Sequence, residues 1–182
     1  MCPTASSRPP TCSWANTGAA PRNKSASTNT EDINTVSKAL KENYIIRIKS
    51  QIEQDGETEQ VELMTRGSFT MREGSYYITY RETETTGYEG CVTTLKLAAD
   101  SSRVAMLRFG PQSSQLIIEK GRRNLCHYET GYGSVTLGVT ADSIECGLNA
   151  KGGVARFSYL LDGDVSTLIS KNSLEVTVTH VN

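Results

Sequence analysis

From Tyr44 onward the chain alternates inward and outward residues with a period of two, and tight-turn signals break that rhythm at short intervals. Tyr44, Ile46, Ile48, Ser50 and Ile52 share one face, while Ile45, Arg47, Lys49, Gln51 and Glu53 share the other. Side chains that alternate this way mark a half-buried β-strand. Asp55-Gly56, Glu73-Gly74, Gly110-Pro111, Lys120-Gly121 and Asp162-Gly163 punctuate the rest of the chain, and each is a turn former. Parallel neighbours would need crossovers of about a dozen residues or more, and these intervals have no room for them. The expectation is therefore an all-β fold, an antiparallel meander of eight to ten strands. Closing it into a barrel removes its exposed edges.

Individual strands add detail. Val61, Leu63 and Thr65 lead to Gly67, where a bulge or sharp bend is expected, and Phe69 and Met71 continue beyond it. Tyr76, Ile78 and Tyr80 share a face with Glu82, so a carboxylate falls in register with apolar side chains. Residues 91–98 and 103–109 form a hairpin around Asp100-Ser101-Ser102. Val135, Leu137, Val139 and Ala141 alternate regularly, but past Asp142 the apolar set slips to Ile144, Cys146 and Leu148. Such a slip is the signature of a β-bulge. Ala155, Phe157, Tyr159 and Leu161, then Leu174, Val176, Val178 and His180, mark the last two strands.

Residues 1–43 obey different rules. Four prolines, many Ser and Thr and a single large apolar side chain past Met1, Trp14, fill the first thirty positions. Such a segment buries too little surface to offset its ordering entropy, so a disordered tail is expected. It has no apolar run of the kind a secretory signal needs, and its prolines argue against an amphipathic transit helix. Ile33, Val36 and Leu40, with Thr30 as N-cap, predict a short helix near 31–42. The barrel domain is assigned to 44–182.

The 182 residues carry 19 basic and 20 acidic side chains. That balance leaves no electrostatic footprint for nucleic acid or an anionic membrane, and no apolar run is long enough for a spanning helix. No P-loop, GxGxxG, GxSxG or HExxH motif is present, and no cofactor is expected. The five cysteines form no CxxC and no Cys/His cluster, which disfavours structural zinc and suits a reducing cytoplasm.

Several local motifs occur together: Ile48-Lys49-Ser50 before Asp55-Gly56, then Gly67, Tyr80-x-Glu82 with Gly87, Arg108-Phe109-Gly110, and His127-Tyr128-x-Thr130 with Gly133. In this order the stretch from Ile45 to His180 resembles the YwiB-like family of small bacterial proteins, a domain of unknown function with a calycin-like, lipocalin-type barrel. The resemblance implies a bacterial, cytoplasmic barrel and supplies no activity. It does not reach the first forty residues.

Alternation places Glu82 and Arg108 on the inward face, where an unpaired charge is strongly disfavoured. The expected arrangement is an ion pair, with a hydroxyl from Tyr80 or Tyr128 beside it. The pair either fixes strand register, or sits at a rim in water, or orients a ligand through an anionic or carbonyl group held by Arg108. His127 joins these as a candidate ligand contact; Cys126 cannot form a dyad with it, because neighbours on a strand point to opposite faces. His180 would be the residue to ligate haem if the barrel held one, a reading that rests on that side chain alone. No nucleophile, base and orienting group fall together, so the chain reads as a binding protein rather than an enzyme. The expected function is to hold a small, partly apolar ligand in the lumen. The alternative is an interaction module whose barrel is filled with side chains.

Overall fold

The computed structural model describes residues 42–130, 133–163 and 167–181, without the side chains of 128–130 and 133–134. The tail and helix expected over residues 1–41 lie outside them. Ten strands follow one another: β1 (Tyr44–Gln54), β2 (Glu57–Arg72), β3 (Ser75–Arg81), β4 (Val92–Ala98), β5 (Arg103–Phe109), β6 (Ser114–Glu119), β7 (Arg123–Thr130), β8 (Gly133–Asn149), β9 (Gly152–Asp162) and β10 (Leu168–His180). A single 3₁₀ turn, Glu84–Thr86, interrupts them, and the described residues contain no α-helix. All pairings are antiparallel, in the order β6-β5-β4-β3-β2-β1-β10-β9-β8-β7. The expected all-β meander of eight to ten strands is thus a ten-stranded, nearly closed barrel.

Its first and last strands close onto each other, with Tyr44 opposite His180 and Glu53 opposite Lys171. The open seam falls instead between β6 and β7. These two strands pair through the isolated Glu119–Arg122 bridge at their hairpin tip and then splay. Across the gap the Asn124 side-chain amide donates to the carbonyl of Ile117 at 3.4 Å.

The inward face of each strand builds the core. Ile46, Ile78, Leu95, Leu97, Val104, Ile118, Val139, Ala155, Tyr159 and Val176 are fully enclosed. Each such Ile, Leu or Val contributes about 1.5–3 kcal/mol on removal from water, which makes the alternation on each strand decisive for register. One end of the barrel carries an aromatic row, in which Tyr44 meets Phe69 and His180 edge-on at 5.3 and 5.0 Å and Phe69 stacks on Tyr76 at 5.8 Å.

Two expected irregularities resolve differently. The register between β8 and β9 shifts between Ala141 and Ser143, so the bulge at Asp142 is real. At Gly67 the ladder to β1 ends and the ladder to β3 begins, and neither carries a register shift, so there is no bulge. Gly67 is instead a place of close approach: a Cβ there would collide with Ile46 Cδ1 and the Thr79 carbonyl. It is also where β2 changes partners. β3 pairs with Gly67–Arg72 and then departs, so among the described residues Glu57–Arg66 has a ladder partner on its β1 side alone.

Candidate functional site

The departure of β3 from β2 opens a gap in the barrel wall, and the residues after β3 fill its far side. Glu82 N–H donates to the Cys91 carbonyl at 2.9 Å, which pulls the chain toward β4. The Glu84–Thr86 turn comes next, closed by Gly87 N–H donating to Glu84 O at 2.9 Å with Gly87 at φ +75°. Tyr88 O then accepts from Cys91 N–H at 3.0 Å. The loop is therefore tied by backbone bonds at both ends, which holds Glu82 inward.

Glu82 and Arg108 meet as the alternation requires. Arg108 Nη2 donates to Glu82 Oε1 at 3.2 Å, with side-chain exposures of 5% and 2%. Desolvating two charges costs several kcal/mol per ion unless geometry and further hydrogen bonds offset it, and those bonds are present. Thr93, wholly buried, donates its hydroxyl to Glu82 Oε1 at 2.5 Å and accepts from Arg108 Nε at 3.3 Å. Thr86 donates to Glu82 Oε2 at 2.9 Å. The guanidinium carbon lies 3.5 Å from the centre of the Tyr88 ring, a cation–π contact in a desolvated setting. Burial first, and the Glu82 charge second, push the Tyr80 phenol far above its ordinary pKa. Burial raises Tyr88 as well, against the opposing influence of Arg108. Both rings therefore act as neutral groups.

Behind this cluster a cavity of about 120 Å³ extends into the barrel, room for roughly four water molecules at about 30 Å³ each. Ile48, Ile52, Leu63, Met106 and Leu174 make its apolar wall, and Tyr80, Glu82, Arg108 and Asn172 its polar one. Glu59 on β2 and Glu84 on the turn stand at its mouth. Among the described residues the lining holds no His and no Cys.

Of the residues singled out in the sequence, Tyr80, Glu82 and Arg108 are brought together. His127 is not: it lies exposed on the outer face of β7, its Nδ1 3.0 Å from Thr136 Oγ1, because Cys126 takes the inward position. The expectation that His127 contacts a lumen ligand is corrected accordingly. Tyr128 lies on β7, but its side chain is outside the described residues. His180 packs against Tyr44, at the opposite end of β10 from Asn172. Thr93, Thr86, Tyr88 and Asn172 join the site from the structure alone. Thr93 shares a face with Leu95 and Leu97, so alternation carried its signal; Tyr88 sits in a loop where no periodicity applies. Among the described residues no group of three or more His, Cys, Asp or Glu side chains could hold a metal ion.

The family model for a domain of unknown function, DUF1934, matches residues 46–176. The chain belongs to the DUF1934 family. The matched region of this DUF1934 protein takes in all of β2 to β9 and holds both Glu82 and Arg108. No curated protein matches the chain. The crystal structure of the YwiB protein from Bacillus subtilis is similar to it, with 22% identity and a TM-score of 0.61 over 81% of this chain and 99% of that one. At that identity the likeness speaks for the fold alone. The family resemblance read from Gly67, Tyr80-x-Glu82 and Arg108-Phe109-Gly110 holds. No helix among the described residues is long and apolar enough to cross a membrane.

Proposed function

We propose that this protein binds a small, partly apolar molecule in its lumen. The single observation that carries the reading is the cavity of about 120 Å³, which joins an apolar wall to the Glu82–Arg108–Tyr80 cluster. Small-molecule sites are typically concave and mostly apolar, with a few polar groups that set orientation. A barrel serving only as an interaction surface has no need of such space. Ile48, Ile52, Leu63, Met106 and Leu174 enclose the ligand's apolar body, while Arg108 and Asn172 offer hydrogen bonds to its polar end. A cytoplasmic setting belongs to the same proposal, supported by the free thiols Cys91 and Cys146, which a reducing compartment tolerates.

Native mass spectrometry of protein purified from its own host tests this. A retained small mass is expected, and Val61→Trp, which fills the mouth of the cavity, should abolish it while the melting temperature stays near that of the parent. If neither a retained species nor any member of a small-molecule library binds, or if Val61→Trp leaves binding intact, the lumen is not a binding site.

A further inference from the structure

We propose that Asn172 sets the chemistry of the lumen ligand: it selects a molecule that carries a hydrogen-bond donor, a hydroxyl or an N–H, over one of the same shape that has acceptors alone. This rests on the lumen-binding reading and adds to it the group that the ligand must present. Asn172 stands on β10 opposite Ile52 of β1 and Tyr159 of β9. It is 2% exposed and lines the cavity. Its Nδ2 donates to Ser170 Oγ at 3.0 Å. That bond uses the amide nitrogen alone, and the carbonyl oxygen Oδ1 receives no hydrogen bond from any described residue.

A carbonyl enclosed without a donor costs free energy that an apolar side chain in its place would not. The wall accepts apolar side chains on either hand, since Ile52 beside Asn172 and Leu174 two positions on are both buried. The bond to Ser170 gives the fold a use for the nitrogen of this side chain and none for its oxygen. On the facing wall the Glu82 carboxylate is already engaged: Oε1 accepts from Thr93 and Arg108, and Oε2 accepts from Thr86. Asn172 Oδ1 is thus a buried acceptor that a ligand can complete. A ligand seated against it shields it from solvent. A hydroxyl or N–H on that ligand then pairs it, whereas a ligand with acceptors alone strands it and sets a second lone pair beside it. Sites built to bond a ligand O–H reject analogues that lack the proton for this reason. With room for roughly four water-sized units, the fitting body is a short alkyl chain or one small ring.

Titration of the full chain with cyclobutanol and cyclobutanone, followed through backbone amide chemical shifts so that weak binding is read, tests the preference. The two molecules share a ring and an oxygen, and only the alcohol donates. Cyclobutanol should bind about tenfold tighter than cyclobutanone. In Asn172→Leu the two affinities should become equal, with that for cyclobutanone held or raised; Asn172→Ala, which adds no bulk, should show the same loss of preference. Ser170→Ala removes the partner of the amide nitrogen and leaves Oδ1 in place, so it should keep the preference. An unchanged melting temperature checks that each variant is folded. Cyclobutanone binding as tightly as cyclobutanol in the parent, or a preference that persists in both Asn172 variants, overturns the proposal and leaves lumen binding standing. If neither molecule binds, both readings fall.

Discussion

Glu82 and Arg108 form a buried ion pair 26 residues apart in sequence, Nη2 to Oε1 at 3.2 Å, with Thr93 hydrogen-bonded to both. Breaking such a pair from one side leaves an uncompensated charge in the barrel, at a cost of about 3–5 kcal/mol. Arg108→Met should lower stability by that amount in urea denaturation. Glu82→Gln/Arg108→Met should be clearly more stable than Arg108→Met alone, because no charge is then stranded. A single variant that loses less than about 1 kcal/mol would mean that the pair behaves as a solvated surface pair.

Gly67 is the second place where one atom matters. A methyl group there would meet the Thr79 carbonyl, which is backbone and cannot rotate away. Overpacking of this kind costs about 1–3 kcal/mol, and Gly67→Ala should lose stability toward the upper end of that range. Gly74→Ala is the control: it has φ +69° but open space around it, so it should show the smaller cost of a left-handed alanine, about 1–2 kcal/mol. Equal melting temperatures for the two variants would contradict the close approach.

Tyr80 makes stability depend on alkaline pH. Burial, then the Glu82 charge, keep its phenol protonated in the native barrel well above the ordinary value of 10.0. The unfolded chain releases that proton near 10 and the native state does not, so the contribution is present below that pH and lost as pH rises toward the native value. Tyr80→Phe should move the alkaline unfolding midpoint upward. Phenolate absorbance attributable to Tyr80 should appear together with unfolding; its appearance in the folded protein near pH 10 would contradict the burial.

The seam between β6 and β7 should be the softest part of the wall. β1 has partners on both sides along nearly its whole length, whereas among the described residues β6 has a ladder on its β5 side and the isolated Glu119–Arg122 bridge toward β7. Local opening is easiest where backbone groups lack a second ladder. In hydrogen exchange, amides of β6 that face the seam should exchange well before those of β1. Uniform protection around the barrel would show that the seam is closed in solution.

Much of this is legible residue by residue. Alternation places Tyr76, Ile78, Tyr80 and Glu82 on one face and Val104, Met106 and Arg108 on another, and the two charges do face each other. The slip past Asp142 marks a true bulge. The first half of β10 escapes such a reading because its inward positions are polar: Ser170 and Asn172 are each 2% exposed and hydrogen-bonded at 3.0 Å. A pattern keyed to apolar residues cannot see a strand whose buried side chains satisfy one another. His127 departs from expectation for a local reason: on β7 the inward parity belongs to Cys126, and the motif in which His127 sits carries no information about facing.

Strand identity, turn positions and the inward charges follow from local chemistry, because a side-chain period of two and a turn-forming glycine act over a few residues. The place of the seam, the splitting of β2 from β3 at Gly67, and the cavity this creates depend on which distant edges pair. That is set by the closure of β1 on β10 and by how many rungs each ladder holds. Glu59 and Glu84, 25 positions apart and unremarkable in their own segments, come to line one cavity through that pairing, since their meeting there is a property of the closed sheet and not of either stretch of chain.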